Sequence, residues 1–234
     1  MSSTGEQGGG GGDRRGDGGD RFAALRARLL VDGLDVADLD ADPMAEVAAW
    51  IAVATDAGIW EPTAMTLATV DGDGAPDARM VLLRGVDRDG LRWYTDRSSA
   101  KGRQLAVVPR AAVVLAWPAL GRQIRVRGAV TPTDDADSDD YWAGRPHGSR
   151  IAASASHQSA ELAGRVELDD AIAALEADYP EGTAVPRPER WGGYRLTPER
   201  VELWQQRAFR AHDRLRYERD PSTPTGWRIV RLSP

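Results

Sequence analysis

The spacing of apolar residues along the chain predicts several short strands joined by turns. In the segment 63–70, Met65 and Leu67 fall on one side of a strand and smaller or polar residues on the other. The glycines of 71–74 supply the positive φ values of a tight turn, so that 78–83 returns as the second strand of a hairpin. The same reasoning predicts strands at 91–95, 111–117, 123–131, 193–197, 200–204, 215–219 and 227–231.

Helical spacing marks other segments. One of them follows Asp42, which suits the N-cap position, with Pro43 in the first turn and Gly58 beyond the end. Its apolar face comprises Met44, Val47, Ile51 and Ala54. The remaining predicted helices cover 22–30, 99–107, 135–143 and 166–179. Because strands and helices do not alternate regularly, the pattern favours an α+β fold around a mostly antiparallel barrel over a doubly wound sheet.

The N-terminal residues differ from the rest of the chain. Residues 1–20 are rich in glycine and charge and hold almost no apolar side chains, so they are predicted to form a disordered tail. Residues 21–234 are predicted to form one domain, since their length and their balance of apolar and charged residues are those of an ordinary globular protein.

Charge and hydropathy limit the possible partners. A net charge of −6 argues against nucleic-acid binding, which needs a basic surface. The apolar stretches 47–54 and 111–117 are far shorter than the roughly 20 residues of a membrane helix, so no membrane partner is expected. The chain contains no cysteine and no signal-peptide core, and we expect it in the cytoplasm.

The sequence lacks the motifs that several kinds of catalytic site require. With three histidines, no cysteine and no HExxH spacing, a metal site is not expected. Neither a phosphate-binding GK[ST] loop nor a G-x-S-x-G nucleophile elbow is present. The chain is instead rich in arginine and tryptophan and holds one lysine, Lys101, an inventory suited to gripping a phosphorylated planar ligand. Seen alone, Lys101 could equally be an exposed lysine near a helix start.

A set of segments carries a resemblance to a known family. In chain order they are EPTAMTLATV (61–70), RMVLLR (79–84), WYTDRSSAK (93–101), GRQIRVRG (121–128), YWAGRPHGS (141–149), HQS (157–159), WGGY (191–194), ELWQ (202–205), RAHDR (210–214) and WRIVRLSP (227–234). Each is a weak signal, but their joint order is specific. From about Asp38 to its end the sequence resembles the pyridoxine/pyridoxamine 5′-phosphate oxidases. The resemblance implies an FMN-binding split β-barrel with flanking helices, a homodimer with FMN at the subunit interface, and a C-terminal dimerisation region.

The resemblance also implies a cofactor site. Residues at the positions that hold FMN in this family are Arg79, Met80, Val81, Leu82, Leu83, Arg84, Tyr94, Thr95, Lys101, Gln123, Gln158, Ser159, Trp204 and Arg214. An arginine fork and a lysine point charge suit the terminal phosphate of FMN, which is a dianion near neutral pH. Without the resemblance, Arg79 fits a surface cation on an edge strand equally well, and the pattern around Trp204 favours a core tryptophan.

The implied substrate is a second phosphate ester. Its expected ligands are Arg84, Tyr141, Arg145 and Ser149, which can all donate hydrogen bonds without a change of charge. The expected catalytic residues are Arg210 and His212, which also contact the substrate; two apart in an extended segment, they would point to the same side. The implied activity is oxidation of pyridoxine or pyridoxamine 5′-phosphate by O2 to pyridoxal 5′-phosphate, with release of H2O2.

Three positions depart from the family pattern. Leu29 stands where a tyrosine of the N-terminal lid is expected, Arg84 replaces a lysine, and Ala100 replaces an arginine beside Lys101. A weaker grip on FMN is therefore predicted. Related flavin oxidases of phenazine biosynthesis share the scaffold and are the main alternative, and a split-barrel protein that binds flavin or pyridoxal phosphate without turnover is another. Arg84, Tyr141, Arg145 and Ser149 favour the phosphate ester.

Overall fold

A computed structural model of the chain describes residues 16–234, and within them the chain forms six α-helices and nine β-strands. The helices are α1 (Gly16–Asp32), α2 (Pro43–Asp56), α3 (Ala100–Val107), α4 (Asp135–Ala143), α5 (His147–Ala155) and α6 (Arg165–Asp178). The strands are β1 (Ala64–Val70), β2 (Pro76–Leu82), β3 (Gly85–Asp87), β4 (Gly90–Asp96), β5 (Arg110–Trp117), β6 (Arg122–Pro132), β7 (Trp191–Gln205), β8 (Asp213–Arg219) and β9 (Trp227–Arg231).

All nine strands belong to one antiparallel sheet. The hydrogen-bonded order is β2-β1-β5-β6-β7-β4-β3, and β8 pairs with both β7 and β9. No pairing closes the sheet on itself within residues 16–234. The α+β class and the mostly antiparallel sheet with flanking helices are thereby confirmed.

Strand β7 organises the sheet because it is long enough to pair along both edges. Residues 194–205 of β7 pair with β6, residues 191–196 pair with β4, and residues 200–205 pair with β8. Two separate strands, 193–197 and 200–204, were predicted here, and this is wrong. A register shift opposite Gly128 lets the strand continue through Pro198, and a β-carbon at Gly128 would lie 1.9 Å from the carbonyl oxygen of Thr197.

The main core lies between the sheet and α2. Leu67, Leu115 and Ile124 are fully buried on the sheet, and Val47 and Trp50 of α2 are buried against the same cluster. The predicted N-cap is confirmed, since the Asp42 side chain accepts a hydrogen bond from the backbone N–H of Met44 at 2.9 Å. A smaller cluster of Trp142, Ile151, Val185 and Trp191 lies beneath α4 and α5.

Two elements and the N-terminal boundary differ from the sequence-based expectation. The short strand β3 and helix α5 were not predicted. Helix α5 is nine residues long, buries one side chain, Ile151, and has no capping bond at its N-cap residue Pro146, so its sequence lacks the start signal of a helix. Helix α1 begins at Gly16, so residues 16–20 are helical rather than part of a disordered tail, and residues 1–15 of that tail lie outside the described residues.

None of the helices within residues 16–234 is both long and apolar enough to span a bilayer.

Candidate active site

A cavity of about 640 Å³ opens between β2, β4, the start of β7 and helices α3 to α5. Its walls combine charged, aromatic and small polar side chains. The lining residues are Arg79, Met80, Val81, Leu82, Arg84, Tyr94, Thr95, Asp96, Lys101, Tyr141, Arg145, Pro146, Ser149, Ala153, Ser156, Gln158 and Trp191. Four sequence segments that are far apart in the chain therefore meet in one concave site.

Lys101 marks one end of this cavity, which we call the Lys101 end. The side chain is 6% exposed, and Ser99 caps the helix from which it projects. Its Nζ donates to Thr95 Oγ1 and Ser99 Oγ, both at 3.2 Å, and to Gln158 Oε1. All three acceptors are neutral, so within residues 16–234 the buried ammonium has no carboxylate in direct contact. Such a site favours a bound anion.

The protonation of Lys101 reflects this setting. Burial, reinforced by the nearby positive charge of Arg79, lowers the pKa of Lys101 from 10.5 to about 8. The ammonium is therefore charged at neutral pH, but it loses its proton far more readily than an exposed lysine.

Arg79 lies beside Lys101 on β2. Its Nη1 donates to Thr69 Oγ1 at 2.6 Å and to the carbonyl oxygen of Leu67 at 3.2 Å. Its Nη2 donates to Gln104 Oε1 at 3.0 Å and forms an ion pair with Asp77. The guanidinium is thus fixed before any ligand arrives.

Three aromatic rings form a stack along the floor of the cavity. The ring centroids of Tyr94 and Tyr141 lie 3.9 Å apart with planes 3° from parallel, and Trp191 lies 5.7 Å from Tyr94. The Tyr94 hydroxyl donates to Asp137 at 2.8 Å, and burial together with this bond raises the pKa of Tyr94 to about 12. Tyr94 therefore remains a neutral hydroxyl throughout the physiological range.

The opposite end, which we call the Arg145 end, holds Arg84, Arg145 and Ser149. Arg145 lies over the rings of Trp142 and Trp191, at 5.1 Å and 4.8 Å from their centroids, and its Nη2 donates to the carbonyl oxygen of Ser149 at 2.9 Å. Burial lowers the pKa of Arg145 below the usual arginine value. Within residues 16–234, neither Arg145 nor the exposed Arg84 is paired with a carboxylate.

An ion pair connects the walls of the cavity. Arg190, just before β7, donates through Nε to Asp96 Oδ2 at 3.1 Å, and Asp96 is 4% exposed. The Nη2 of Arg190 also contacts carbonyl oxygens at the C-terminal end of α5, with that of Ser154 at 2.6 Å. Asp96 in turn accepts from the backbone N–H of Ser98 at 2.7 Å and of Gln158 at 3.4 Å. Neither Asp96 nor Arg190 was among the predicted site residues.

A second group of predicted residues lies elsewhere, on β6, β7 and β8, and we call it the C-terminal cluster. Gln123 pairs with Trp204, and Trp204 pairs with Arg214, so these residues are cross-strand neighbours on one face of the sheet. The rings of Trp204 and His212 lie 4.6 Å apart. Arg214 donates to the buried Glu202 through Nε and Nη2, both at 2.9 Å. None of these four residues lines the cavity.

The turn that carries Arg210 and His212 is not extended, contrary to the sequence-based argument. Phe209 and Arg210 belong to a short helical turn and have φ values of 55° and 63°, in the left-handed region that non-glycine residues rarely adopt. The backbone N–H of Arg207 donates to His212 Nδ1 at 3.1 Å. In the neutral ring this bond places the proton on Nε2, which leaves Nε2 as a donor.

The predicted site residues therefore fall into three groups: those that line the cavity, those near or in the C-terminal cluster, and two that belong to neither. The cavity brings together Arg79, Met80, Val81, Leu82, Arg84, Tyr94, Thr95, Lys101, Tyr141, Arg145, Ser149 and Gln158. Leu83 is buried in the core and does not line the cavity, and Ser159 is exposed in a left-handed turn just beyond Gln158. Sequence reasoning missed Trp191, although it opens the WGGY motif, and Asp96, although it directly follows Thr95.

The positions that depart from the family pattern can also be placed. Leu29 is buried in the main core, where it packs rather than covers a ligand. Ala100 lines a separate small cavity with Asp71 and Arg103, and not the main one.

Comparisons with known proteins identify similar sequences. The family profile described as "Pyridoxamine 5'-phosphate oxidase" matches residues 51–178, and the one described as "Pyridoxine 5'-phosphate oxidase C-terminal dimerisation region" matches residues 191–234. The chain is 50% identical to a pyridoxine/pyridoxamine 5′-phosphate oxidase of Thermobifida fusca, over 91% of this chain and 97% of that protein. It is 49% identical to pyridoxine/pyridoxamine 5′-phosphate oxidase 1 of Ralstonia nicotianae, over 91% and 99%.

Solved structures are similar as well. PhzG from Burkholderia lata 383, crystallised with tetrahydrophenazine-1-carboxylic acid, has a TM-score of 0.81 and 37% identity, with 88% of this chain and 100% of that chain covered. A pyridoxamine 5′-phosphate oxidase-related, FMN binding protein from Nostoc punctiforme has a TM-score of 0.63 at 20% identity, with 84% and 99% covered, which supports the fold alone.

Proposed function

Since this chain belongs to the pyridoxamine 5′-phosphate oxidase family, we propose that it oxidises pyridoxine or pyridoxamine 5′-phosphate at carbon C4′ to pyridoxal 5′-phosphate. The reaction removes two electrons from the substrate and passes them to O2, which becomes H2O2; with the amine substrate, water enters and ammonia leaves. The observation that carries the proposal is one cavity with a cationic group at each end and an aromatic floor between them.

The donor set at the Lys101 end fits FMN. Lys101 offers a buried charge whose direct hydrogen-bond partners among the described residues are neutral, and Arg79 lies beside it with its guanidinium already fixed, which together suit a phosphate dianion. Thr95 and Gln158 add neutral hydrogen-bonding groups, and β2 supplies backbone groups along the wall. FMN, when bound, supplies the two-electron redox chemistry that no side chain of this protein can perform.

The Arg145 end fits the phosphate ester of the substrate. Arg84 and Arg145 carry charges that no carboxylate of the described chain neutralises, and the Ser149 hydroxyl adds a neutral donor. The N-terminal end of α5 also faces the cavity, since Pro146 and Ser149 line it, and the helix dipole adds to the positive potential there. A doubly charged phosphate would be held here while the pyridine ring lies between the two ends.

The site is completed by a second copy of the chain. The C-terminal cluster contains Gln123, Trp204, His212 and Arg214, and it lies outside the cavity within one chain. The region that carries most of it matches a profile described as a dimerisation region. We infer that the partner's C-terminal cluster, with Arg210 and His212, covers the cavity in a homodimer.

In this arrangement the side chains of the protein position the substrate and donate hydrogen bonds to it. The groups that bind the substrate's phosphate hold its C4′ carbon at the reacting position. Holding the reacting atoms in place is how binding contributes to the rate. His212, whose Nδ1 is held by a backbone N–H, presents Nε2 as a donor towards a ring hydroxyl or amine, and the positive charge of Arg210 favours negative charge developing on the substrate.

A second candidate function is the oxidation of reduced phenazine carboxylates. The observation that favours it is the 37% identity to PhzG over 88% of the chain. The carboxylate of such a substrate carries a single charge, whereas the Arg145 end offers two unneutralised guanidinium groups. The curated relatives at 49% and 50% identity also favour the vitamin phosphate.

Oxygen uptake by FMN-loaded protein tests these alternatives. Pyridoxine phosphate, pyridoxamine phosphate, unphosphorylated pyridoxine and a dihydrophenazine carboxylate are compared as reductants at equal concentration. Uptake with both phosphates and little with pyridoxine supports the proposal. Equal specificity constants for pyridoxine and its phosphate would refute the anchoring argument, uptake with the phenazine alone selects the second candidate, and bound flavin without any uptake points to a binding protein.

A further inference from the structure

The ion pair between Asp96 and Arg190 contacts the turn before α3, which carries Lys101, and the C-terminal end of α5, which carries Ser149, although neither residue belongs to these helices. Asp96 is buried at the end of β4, directly after Thr95. Arg190 is partly buried and immediately precedes Trp191. We propose that these two residues are positioning residues that hold the two ends of the cavity at a fixed separation.

On the Asp96 side, the contacts lead to Lys101. One carboxylate oxygen accepts from the N–H of Ser98 at 2.7 Å and from its hydroxyl at 2.6 Å. The backbone carbonyl of Asp96 accepts from the Ser99 hydroxyl at 2.6 Å, and Ser99 both caps α3 and contacts Lys101 Nζ. The side chain of Asp96 thus shapes the turn from which Lys101 projects, while its other oxygen accepts from the N–H of Gln158.

On the Arg190 side, the contacts lead to α5 and the Arg145 end. The Nη2 of Arg190 donates to the carbonyl oxygens of Ala153, Ser154 and Ser156 at 3.4, 2.6 and 3.2 Å. A guanidinium at this position also complements the negative end of the helix dipole. The same helix carries Ser149 in its first turn, so movement of its C-terminal end would move the substrate's phosphate site.

The pair is suited to positioning because it is costly to break. If Arg190 is removed, Asp96 keeps a buried negative charge with no cation in contact, close to where the flavin phosphate is expected. Flavin binding and the order of both segments would then be lost together. This inference rests on the proposed function for its meaning in catalysis, but its test does not require turnover.

The test uses the full-length chain titrated with FMN. Dissociation constants are measured by flavin fluorescence for the wild type, Arg190→Met, Arg190→Lys and Asp96→Asn, and for the double variant Asp96→Asn/Arg190→Met. Amide hydrogen exchange is followed in the segments 98–103 and 153–160. Arg195→Met is the matched control, because Arg195 also lies on or beside β7, is 25% exposed like Arg190 at 24%, and pairs with Asp87 away from the cavity.

We expect Arg190→Met to weaken FMN binding roughly tenfold and to speed exchange in both segments, since small displacements at a binding site have large effects. Arg190→Lys should lie between this variant and the wild type, because a single ammonium cannot span the carboxylate and the carbonyls. The double variant should bind FMN no more weakly than Arg190→Met. Arg195→Met should change FMN affinity by less than twofold.

Other results would overturn the proposal. If Arg190→Met speeds exchange only in 153–160 and leaves FMN affinity unchanged, Arg190 merely anchors α5. Additive losses in the double variant would show that the two residues do not act as a unit. Should Arg190→Met fail to fold, Arg190→Lys carries the same comparison. If all expectations hold but no vitamer phosphate is oxidised by the wild type, the proposed function fails and the positioning role stands.

Discussion

Lys101 is buried and donates to three neutral oxygen atoms at one end of the cavity. At the other end Arg84 is exposed, and Arg145 donates, among the described residues, to a single backbone carbonyl. Both ends are cationic, but only the first is fully organised before a ligand arrives. A preformed site loses less entropy on binding and suits a ligand that stays through many turnovers. The looser Arg145 end suits a ligand that is released after each turnover.

The largest expected effect is at Lys101. Replacing Lys101 with methionine removes its charged hydrogen bonds to the FMN phosphate, each worth about 1.5–3 kcal/mol. Lys101→Met should therefore weaken FMN binding by about 100-fold, measured by flavin fluorescence. The same change removes a buried charge that lacks a carboxylate partner. The free energy of unfolding of flavin-free protein should therefore stay equal or rise, and a clear fall would contradict this account of the Lys101 end.

The next largest effect is expected at Arg145, at the other end of the cavity, where a substitution should weaken substrate binding but not FMN binding. Arg145→Gln should raise the KM for pyridoxine phosphate by about tenfold or more, because a charge-assisted bond to the phosphate is lost. FMN affinity should change by less than twofold. Arg165→Gln, on the exposed surface of α6, serves as the control for loss of one positive charge. A parallel loss of flavin affinity in Arg145→Gln would show that the two ends are not distinct.

The pH dependence of flavin affinity distinguishes the ends as well. Lys101 has a pKa of about 8 in the free protein, so below pH 8 it is already charged, and above pH 8 binding must first take up a proton. Affinity should therefore be highest between about pH 6, where the phosphate becomes a dianion, and pH 8, and should fall by up to tenfold per pH unit above that. Isothermal titration in two buffers of different ionisation enthalpy should detect proton uptake at pH 9. Unchanged affinity up to pH 10 would contradict a charged-lysine contact.

The smallest expected effect lies at Phe209, in the turn before His212 and outside both ends of the cavity. Phe209 is fully exposed and adopts a left-handed conformation that costs a β-branched or bulky residue about 1–2 kcal/mol. Asparagine adopts this conformation more readily, so Phe209→Asn should raise the free energy of unfolding by about 1 kcal/mol, measured by chemical denaturation. Phe209→Ala removes the ring but keeps the β-carbon, and an equal gain there would locate the cost in the exposed ring instead.

The sequence was informative where one segment determines its own structure. The strands from β1 to β6, apart from β3, and the capped helix α2 follow local periodicity and capping, and the resemblance named the cationic residues that line the cavity. Helix α5 was missed because it is short, uncapped and buries a single side chain. The ion pair of Asp96 and Arg190 joins residues 94 positions apart, and no local pattern encodes that contact. The left-handed turn at Phe209 and Arg210 likewise follows from neither residue type.

The length of β7 has a genetic consequence. It begins at Trp191 in the cavity floor and reaches Trp204 in the C-terminal cluster, up to about 40 Å along the extended strand. If each working site takes its floor from one copy and its cover from the other, substitutions that inactivate the enzyme should sort into two complementation classes. Cells that express one allele damaged at Lys101 and another damaged at His212 should recover part of the activity, whereas two alleles damaged in the same half should not.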